Sequence, residues 1–213
     1  MSTMRKIQVR CTVCGEESEQ TVLCSTNRFG APDLDLRPPE MMRSTMRWWV
    51  QECPRCGYVA ESLNGRTSVS KNRLKEDAYI TCNGIDFRSE LARRFYRHYL
   101  LCLSKRDKKA AYQAAIRAAW ACDDARDLPN AAHCRRLALS LLDQLLEMPR
   151  AQEDLCIVKA DLLRRVGEFD LLIETFTGQQ FSNDLLNRII AFEIARAKER
   201  DSGRYTVDSV DKA

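Results

Sequence analysis

The chain has 213 residues, 45% hydrophobic and 30% charged, with a formal net charge of +4. That length supports one large domain or two modest ones, and the composition is that of a globular protein rather than a disordered or fibrous one. The small charge argues against a protein built around a strong nucleic-acid-attracting field. No run approaches the ~18 apolar residues of a spanning helix, and MSTMRKIQVRC lacks the apolar core of a signal peptide, so a cytoplasmic location with no membrane partner is expected.

In chain order, the first third reads as short β-type runs bounded by turn residues. Strands are predicted at KIQVR (6–10), EQTVL (19–23), MRWWVQE (46–52) and YVAES (58–62). In a regular strand Trp48 and Trp49 would face opposite ways. Between the second and third runs, TNRFGAPDLDLRPPEMMRST is rich in Pro, Gly and Asp and reads as a long ordered loop.

Two of these runs lead into the same motif, Cys11-Thr-Val-Cys14-Gly15 and Cys53-Pro-Arg-Cys56-Gly57. Ten cysteines in a chain expected in a reducing compartment point to metal or catalysis rather than disulfides. Two residues between cysteines let both thiolates face one ion, backbone N–H groups of the turn can donate to the sulfurs, and the following Gly supplies a positive φ. Two such knuckles give four ligands and a closed structural zinc site on Cys11, Cys14, Cys53 and Cys56. Iron in a rubredoxin-like site uses the same ligands and is the alternative. A thioredoxin-type dithiol needs a helix N-terminus in a βαβ setting, which the strand-like flanks do not offer. Four bound thiolates would bring the net charge to about +2. Cys24 is placed in a strand core, although it lies near enough in sequence to compete as a ligand. Cys82, Cys102, Cys122, Cys134 and Cys156 read as small core residues on helices.

From about residue 68 the spacing becomes helical. Helices are predicted at 70–80, 88–104, 107–123, 130–147, 152–166, 168–177 and 182–200, with Pro129 and Pro149 as breakers between them. DLCIVKADLLRRVGEFDLLIETF matches a tetratricopeptide (TPR) hairpin: Ala160 at the small position, Leu163 one turn on, Gly167 closing the first helix and Phe176 in the second. Leu172 stands where a small residue is usual. KKAAYQAAIRAAWACDD and NAAHCRRLALSLLDQLLE form a second candidate hairpin, and an ordinary helical bundle would show the same amphipathic faces. The polar tail GRYTVDSVDKA is expected to fray.

Asp33 and Asp35, two apart beside Arg37, would share a side in extended backbone and could meet a ligand, metal or partner. Equally, the Leu residues could anchor the loop while the Asp residues cap turns or pair with Arg37 and Arg43. No third group completes a catalytic set, so an enzyme built on Asp33, Asp35 and Arg37 stands as the lesser alternative and the reading leans to a non-enzymatic chain. The two histidines, His98 and His133, sit among arginines and read as solvated or interfacial. Nine Lys or Arg fall between Arg88 and Arg117 against Glu90 and Asp107. Phe95, Tyr99 and Cys102 follow a buried stripe with Leu91, leaving Arg93, Arg94 and Arg97 as an outer face that could contact phosphates.

The paired C-x-x-C-G knuckles, the stretch from Asp33 to Tyr58 and the TPR-like helices together resemble the bacterial domain-of-unknown-function family DUF2225. The resemblance spans most of the chain and implies the architecture; it carries no activity and no catalytic residue. The expected fold is α+β, with a small β zinc ribbon over 1–66 and an all-α, TPR-like domain over 67–213. The expected function is a non-catalytic module that recognises a protein or peptide, with nucleic-acid binding through the Arg88–Arg117 face as the alternative.

Overall fold

Strands β1 (Thr3–Arg10) and β2 (Glu17–Ser25) form an antiparallel hairpin registered from Thr3↔Ser25 to Arg10↔Glu17, and the first knuckle is its turn. The computed structural model describes residues 1–147 and 153–211; Pro149 and residue 152, at the start of the fifth expected helix, lie outside them. Strands β3 (Arg28–Phe29) and β4 (Glu40–Met41) pair at the base of a tongue formed by residues 30–39. A second short hairpin, β5 (Gln51–Glu52) with β6 (Val59–Ala60), carries the second knuckle.

The strand expected over MRWWVQE is corrected: Arg43–Trp48 is a 3₁₀ helix and only Gln51–Glu52 is strand. The Thr45 hydroxyl donates to the Met42 carbonyl at 2.7 Å and accepts from the Trp49 indole at 3.0 Å, which fixes the turn. Burial of Thr45 and Met46 here overrides the β preference of Trp and Val. The helix expected over 70–80 is likewise replaced by a 3₁₀ turn, Arg73–Lys75, and a short α1, Asp77–Ile80. Their buried residues, Leu74 and Tyr79, are five apart, a spacing one straight helix cannot aim at one core.

The remaining helices lie close to their expected positions: α2 (Glu90–Ser104), α3 (Lys108–Asp124), α4 (Leu128–Leu146), α5 (Glu153–Arg165), α6 (Phe169–Phe176) and α7 (Asp184–Lys198). Pro129 sits in the first turn of α4 rather than between helices, where its missing N–H costs nothing. Ser89, Asp107 and Asn183 cap α2, α3 and α7 through their side chains. The dipeptide Arg-Asp recurs at 106–107, 126–127 and 200–201, and each time the Arg has a positive φ just past a helix end. The next N–H closes the helix by bonding five residues back, as in Asp107 N–H to the Cys102 carbonyl at 3.1 Å.

Six buried alanines of α3, among them Ala111, Ala115 and Ala118, let it lie between α2 and α4. In the stretch expected to form a TPR hairpin, Gly167 at φ 84° separates α5 from α6, and Ala160, Leu172 and Phe176 are buried. One buried cluster runs from Val9 to Ala197, so packing continues across the boundary expected at residue 66. The expectation of a frayed tail is also corrected for the described residues. Thr206 pairs with Asp33, the Tyr205 carbonyl accepts from the Leu34 N–H at 3.1 Å, and α8 (Val207–Val210) follows. Tyr205 packs edge-on to Phe192, an apolar contact that outweighs the tail's polar composition.

Candidate metal centre and adjoining cleft

The two knuckles repeat the same backbone geometry. Cys11 N–H donates to the Glu16 carbonyl at 2.7 Å and Gly15 N–H to the Cys11 carbonyl at 2.8 Å; in the second knuckle Cys53 N–H donates to Tyr58 and Gly57 N–H to Cys53, both at 2.9 Å. Gly15 and Gly57 have φ of 80° and 67°, where a side chain would be strained. The Cys11 and Cys56 sulfurs are 3.8 Å apart and the Cys14 and Cys53 sulfurs 3.6 Å, and all four lie within 4.8 Å of one another. A tetrahedron with ~2.3 Å metal–sulfur bonds has edges of about 3.8 Å, so the four cysteines fit a divalent metal ion. Among the described residues this is the one group of Cys, His, Asp or Glu side chains so placed.

Burial raises the Cys53 and Cys56 thiols. Burial acts upward on Cys14 too, but the Glu16 backbone and its cysteine neighbours outweigh it and bring it down to about 7. Cys24 is exposed and lies outside the cluster, which corrects its expected place in a strand core. Cys82, Cys102, Cys122 and Cys134 are buried, and Cys156 is partly buried.

The first knuckle is tied to the second hairpin's exit by Thr12 N–H donating to the Leu63 carbonyl at 2.9 Å. The Tyr79 hydroxyl donates to the Gly57 carbonyl at 2.6 Å. Helix α2 is joined through Glu52, next to Cys53. Its carboxylate receives Arg93 at 3.3 Å, Arg94 at 3.0 Å and Arg97 at 3.1 Å, while Glu90 also pairs with Arg93. Arg97 further donates to the Ile80 carbonyl at 2.9 Å and lies over the Tyr79 ring. The three arginines expected on an outer, phosphate-facing surface are thus turned toward the metal centre's own hairpin. Glu52→Gln is expected to cost about 1–3 kcal/mol, because it leaves three clustered guanidinium groups without their shared carboxylate. In thermal melts the loss should shrink in about 1 M salt, where charges more than ~3 Å apart are screened; a salt-independent loss would show that packing, not charge, is at stake. The two histidines, expected to be solvated or interfacial, are both half-buried: burial takes His98 down to about 4, and His133 packs beside Tyr96.

Asp33, Asp35 and Arg37 are each at most 2% exposed. They bond in different directions rather than lining up on one side. Asp35 accepts from the Trp120 indole at 2.7 Å and from the Arg37 N–H at 3.1 Å. The Arg37 guanidinium donates to the Trp120 carbonyl and pairs with Asp124 at 2.5 Å. Asp33 pairs with Arg43 at 2.6 Å; its other oxygen has no hydrogen-bond partner among the described residues, with Arg204 at 4.0 Å. Burial accordingly raises Asp33. These bonds and the buried Leu34 anchor the tongue to α3, while Leu36 at its tip is 45% exposed with φ 63°.

Between tongue and helices lies a cleft of about 1110 Å³. Pro32, Leu36, Pro38 and Pro39 form one wall, and Tyr112, Ile116 and Trp120 of α3 the other, with Trp49 and Leu155 also lining it. Sequence reasoning missed this helical wall, although a signal exists: Tyr112, Ile116 and Trp120 recur every fourth residue through an Ala-rich helix, which puts three large apolar groups on one stripe.

Behind α3, Asp123 pairs with Arg135 and, at 3.1 Å, with Arg165. Deeper still, Arg164 pairs with Asp161 at 2.8 Å and with Glu193, all three buried. Arg164 also donates to the Asp201 and Gly203 carbonyls at 3.1 and 2.6 Å and lies over Tyr205, holding the C-terminal segment that buttresses the tongue.

The chain belongs to the family described as "Uncharacterized protein conserved in bacteria (DUF2225)", whose model matches residues 4–196. No curated protein and no solved structure matches it. Among the described residues no helix is long and apolar enough to cross a membrane.

Proposed function

We propose that the chain is a non-catalytic, zinc-binding interaction module of the cytoplasm, in which the metal centre and TPR-like helices hold the tongue so that it and α3 form a peptide-binding cleft. Zinc is the assignment because a closed four-thiolate set on two knuckles is the usual structural zinc site. The observation that carries the reading is the cleft itself: large, lined by aromatic and proline side chains, and walled on one side by a loop held on a rigid frame. Its exposed lip, Leu36, keeps a left-handed backbone that is unfavourable for leucine. Strain retained at an exposed apolar residue suits a contact site better than a structural one.

Leu36→Asn separates the two roles. Asparagine tolerates a left-handed backbone better than leucine, so the melting temperature should hold or rise. Peptides selected from a random library on the metal-loaded protein should bind the variant about 5–30-fold more weakly, the value of one buried leucine contact. Equal binding by the variant, or no peptide retained by the parent protein, would overturn the reading.

A further inference from the structure

We infer that the cleft's occupant is a linear peptide carrying an apolar or aromatic anchor between acidic residues, an inference that rests on the peptide-binding reading above. Size is the first argument. At about 1110 Å³ the cleft exceeds the ~300–1,000 Å³ of ordinary small-molecule pockets. Its apolar lining also reaches the surface at Leu36, which is 45% exposed.

Charge is the second argument. Each oxygen of the carboxylate in the lining, Asp35, already accepts one bond, from the Arg37 N–H and from the Trp120 indole. Of the three lining cations, Arg117 is paired with Glu61 at 2.6 Å. Arg28, on the tongue side, and Lys109, on α3, are exposed and have no carboxylate partner among the described residues. The five residues from 148 to 152, MPRAQ, contain no acidic side chain. The cleft therefore offers an apolar floor between two exposed cations that lack an ion-pair partner among the described residues, one on each wall. A peptide with an apolar centre and acidic flanks complements it, and the flanking charges steer association and set specificity.

The test uses fluorescence anisotropy with the metal-loaded full chain and three synthetic twelve-residue peptides: a Leu-Trp-Leu centre flanked by glutamates, the same centre flanked by lysines, and the glutamate-flanked peptide with a serine centre. The glutamate-flanked peptide should bind about tenfold tighter than the lysine-flanked one. Arg28→Glu with Lys109→Glu should reverse the order, and about 1 M salt should erase it. Equal binding by the lysine-flanked peptide would overturn the acidic specificity while leaving a peptide cleft standing. Undiminished binding of the serine-centred peptide would overturn the apolar anchor. If none binds to protein with full metal content and native circular dichroism, both the inference and the peptide-binding reading fall. A dimer by light scattering that Leu36→Asn dissolves would assign the cleft to a second copy of the chain and overturn the inference.

Discussion

Cys53→Ser should abolish metal loading and lower the melting midpoint by at least about 10 °C, equivalent to roughly 3–4 kcal/mol in a chain of this size. Structural zinc sites contribute an apparent ~10–16 kcal/mol of binding free energy to folding, while a whole domain is stable by only ~5–15 kcal/mol. Here the site joins both N-terminal hairpins. Cys11 and Cys53 are themselves buried, Thr12 bonds Leu63, and Gly57 accepts from Tyr79, so losing the metal releases the contacts that seat the knuckles on the helices. Plasma mass spectrometry of the parent protein should give about one zinc per chain. Iron would change the metal and keep the site; a metal-free parent, or full loading of Cys53→Ser, would sink it. Cys24→Ser is the matched control, because that thiol is exposed and outside the cluster.

Arg164→Met should cost about 3–5 kcal/mol, since it leaves the Asp161 and Glu193 carboxyl groups buried without their guanidinium partner. The same substitution frees the Asp201 and Gly203 carbonyls, so the C-terminal segment should loosen and amide exchange at Leu34, which bonds Tyr205, should accelerate. Unchanged exchange there would show that the tongue does not depend on this network.

The same network sets a pH dependence. Burial raises both Asp161 and Glu193 above the ordinary carboxyl range. Among the described residues, Asp161 Oδ2 and Glu193 Oε1 have no hydrogen-bond partner, so one oxygen of each carboxyl is buried without a compensating bond, which disfavours the charged form. A raised value in the folded chain means that this pair's contribution is full below about pH 4, the unfolded range, and is lost as pH climbs through the native values. Asp123 has the opposite sign: burial pushes it up, but Arg135 and Arg165 prevail and hold it low. Its contribution is present above about pH 4 and is lost as pH falls through its depressed value. Glu193→Gln, which mimics the protonated form, should therefore flatten the decline in melting temperature on the alkaline side and leave the acid side in place. A decline as steep as the parent's would remove this pair as its cause.

Much of this architecture is determined locally. The knuckles need only two cysteines, a short turn and a glycine, all consecutive in the chain, and the six long helices show their apolar spacing within a few turns. The paired cysteine knuckles and the α+β order could therefore be read from residues that are neighbours in sequence. The tertiary structure decided whatever depends on partners far along the chain. Whether MRWWVQE is strand or 3₁₀ helix turns on what Thr45 and Met46 pack against. Arg93, Arg94 and Arg97 look like an outer basic face until Glu52, some forty residues earlier, is folded onto them. Asp35 and Arg37 find Trp120 and Asp124 more than eighty residues away, and Thr206 comes back to Asp33. A carboxylate or guanidinium has no intrinsic preference that reveals such a partner, because its burial is tolerable only once the partner is in place. The sequence by itself determined the four-cysteine cluster and the helices; only the packed chain decided where the tongue lies, and with it the cleft.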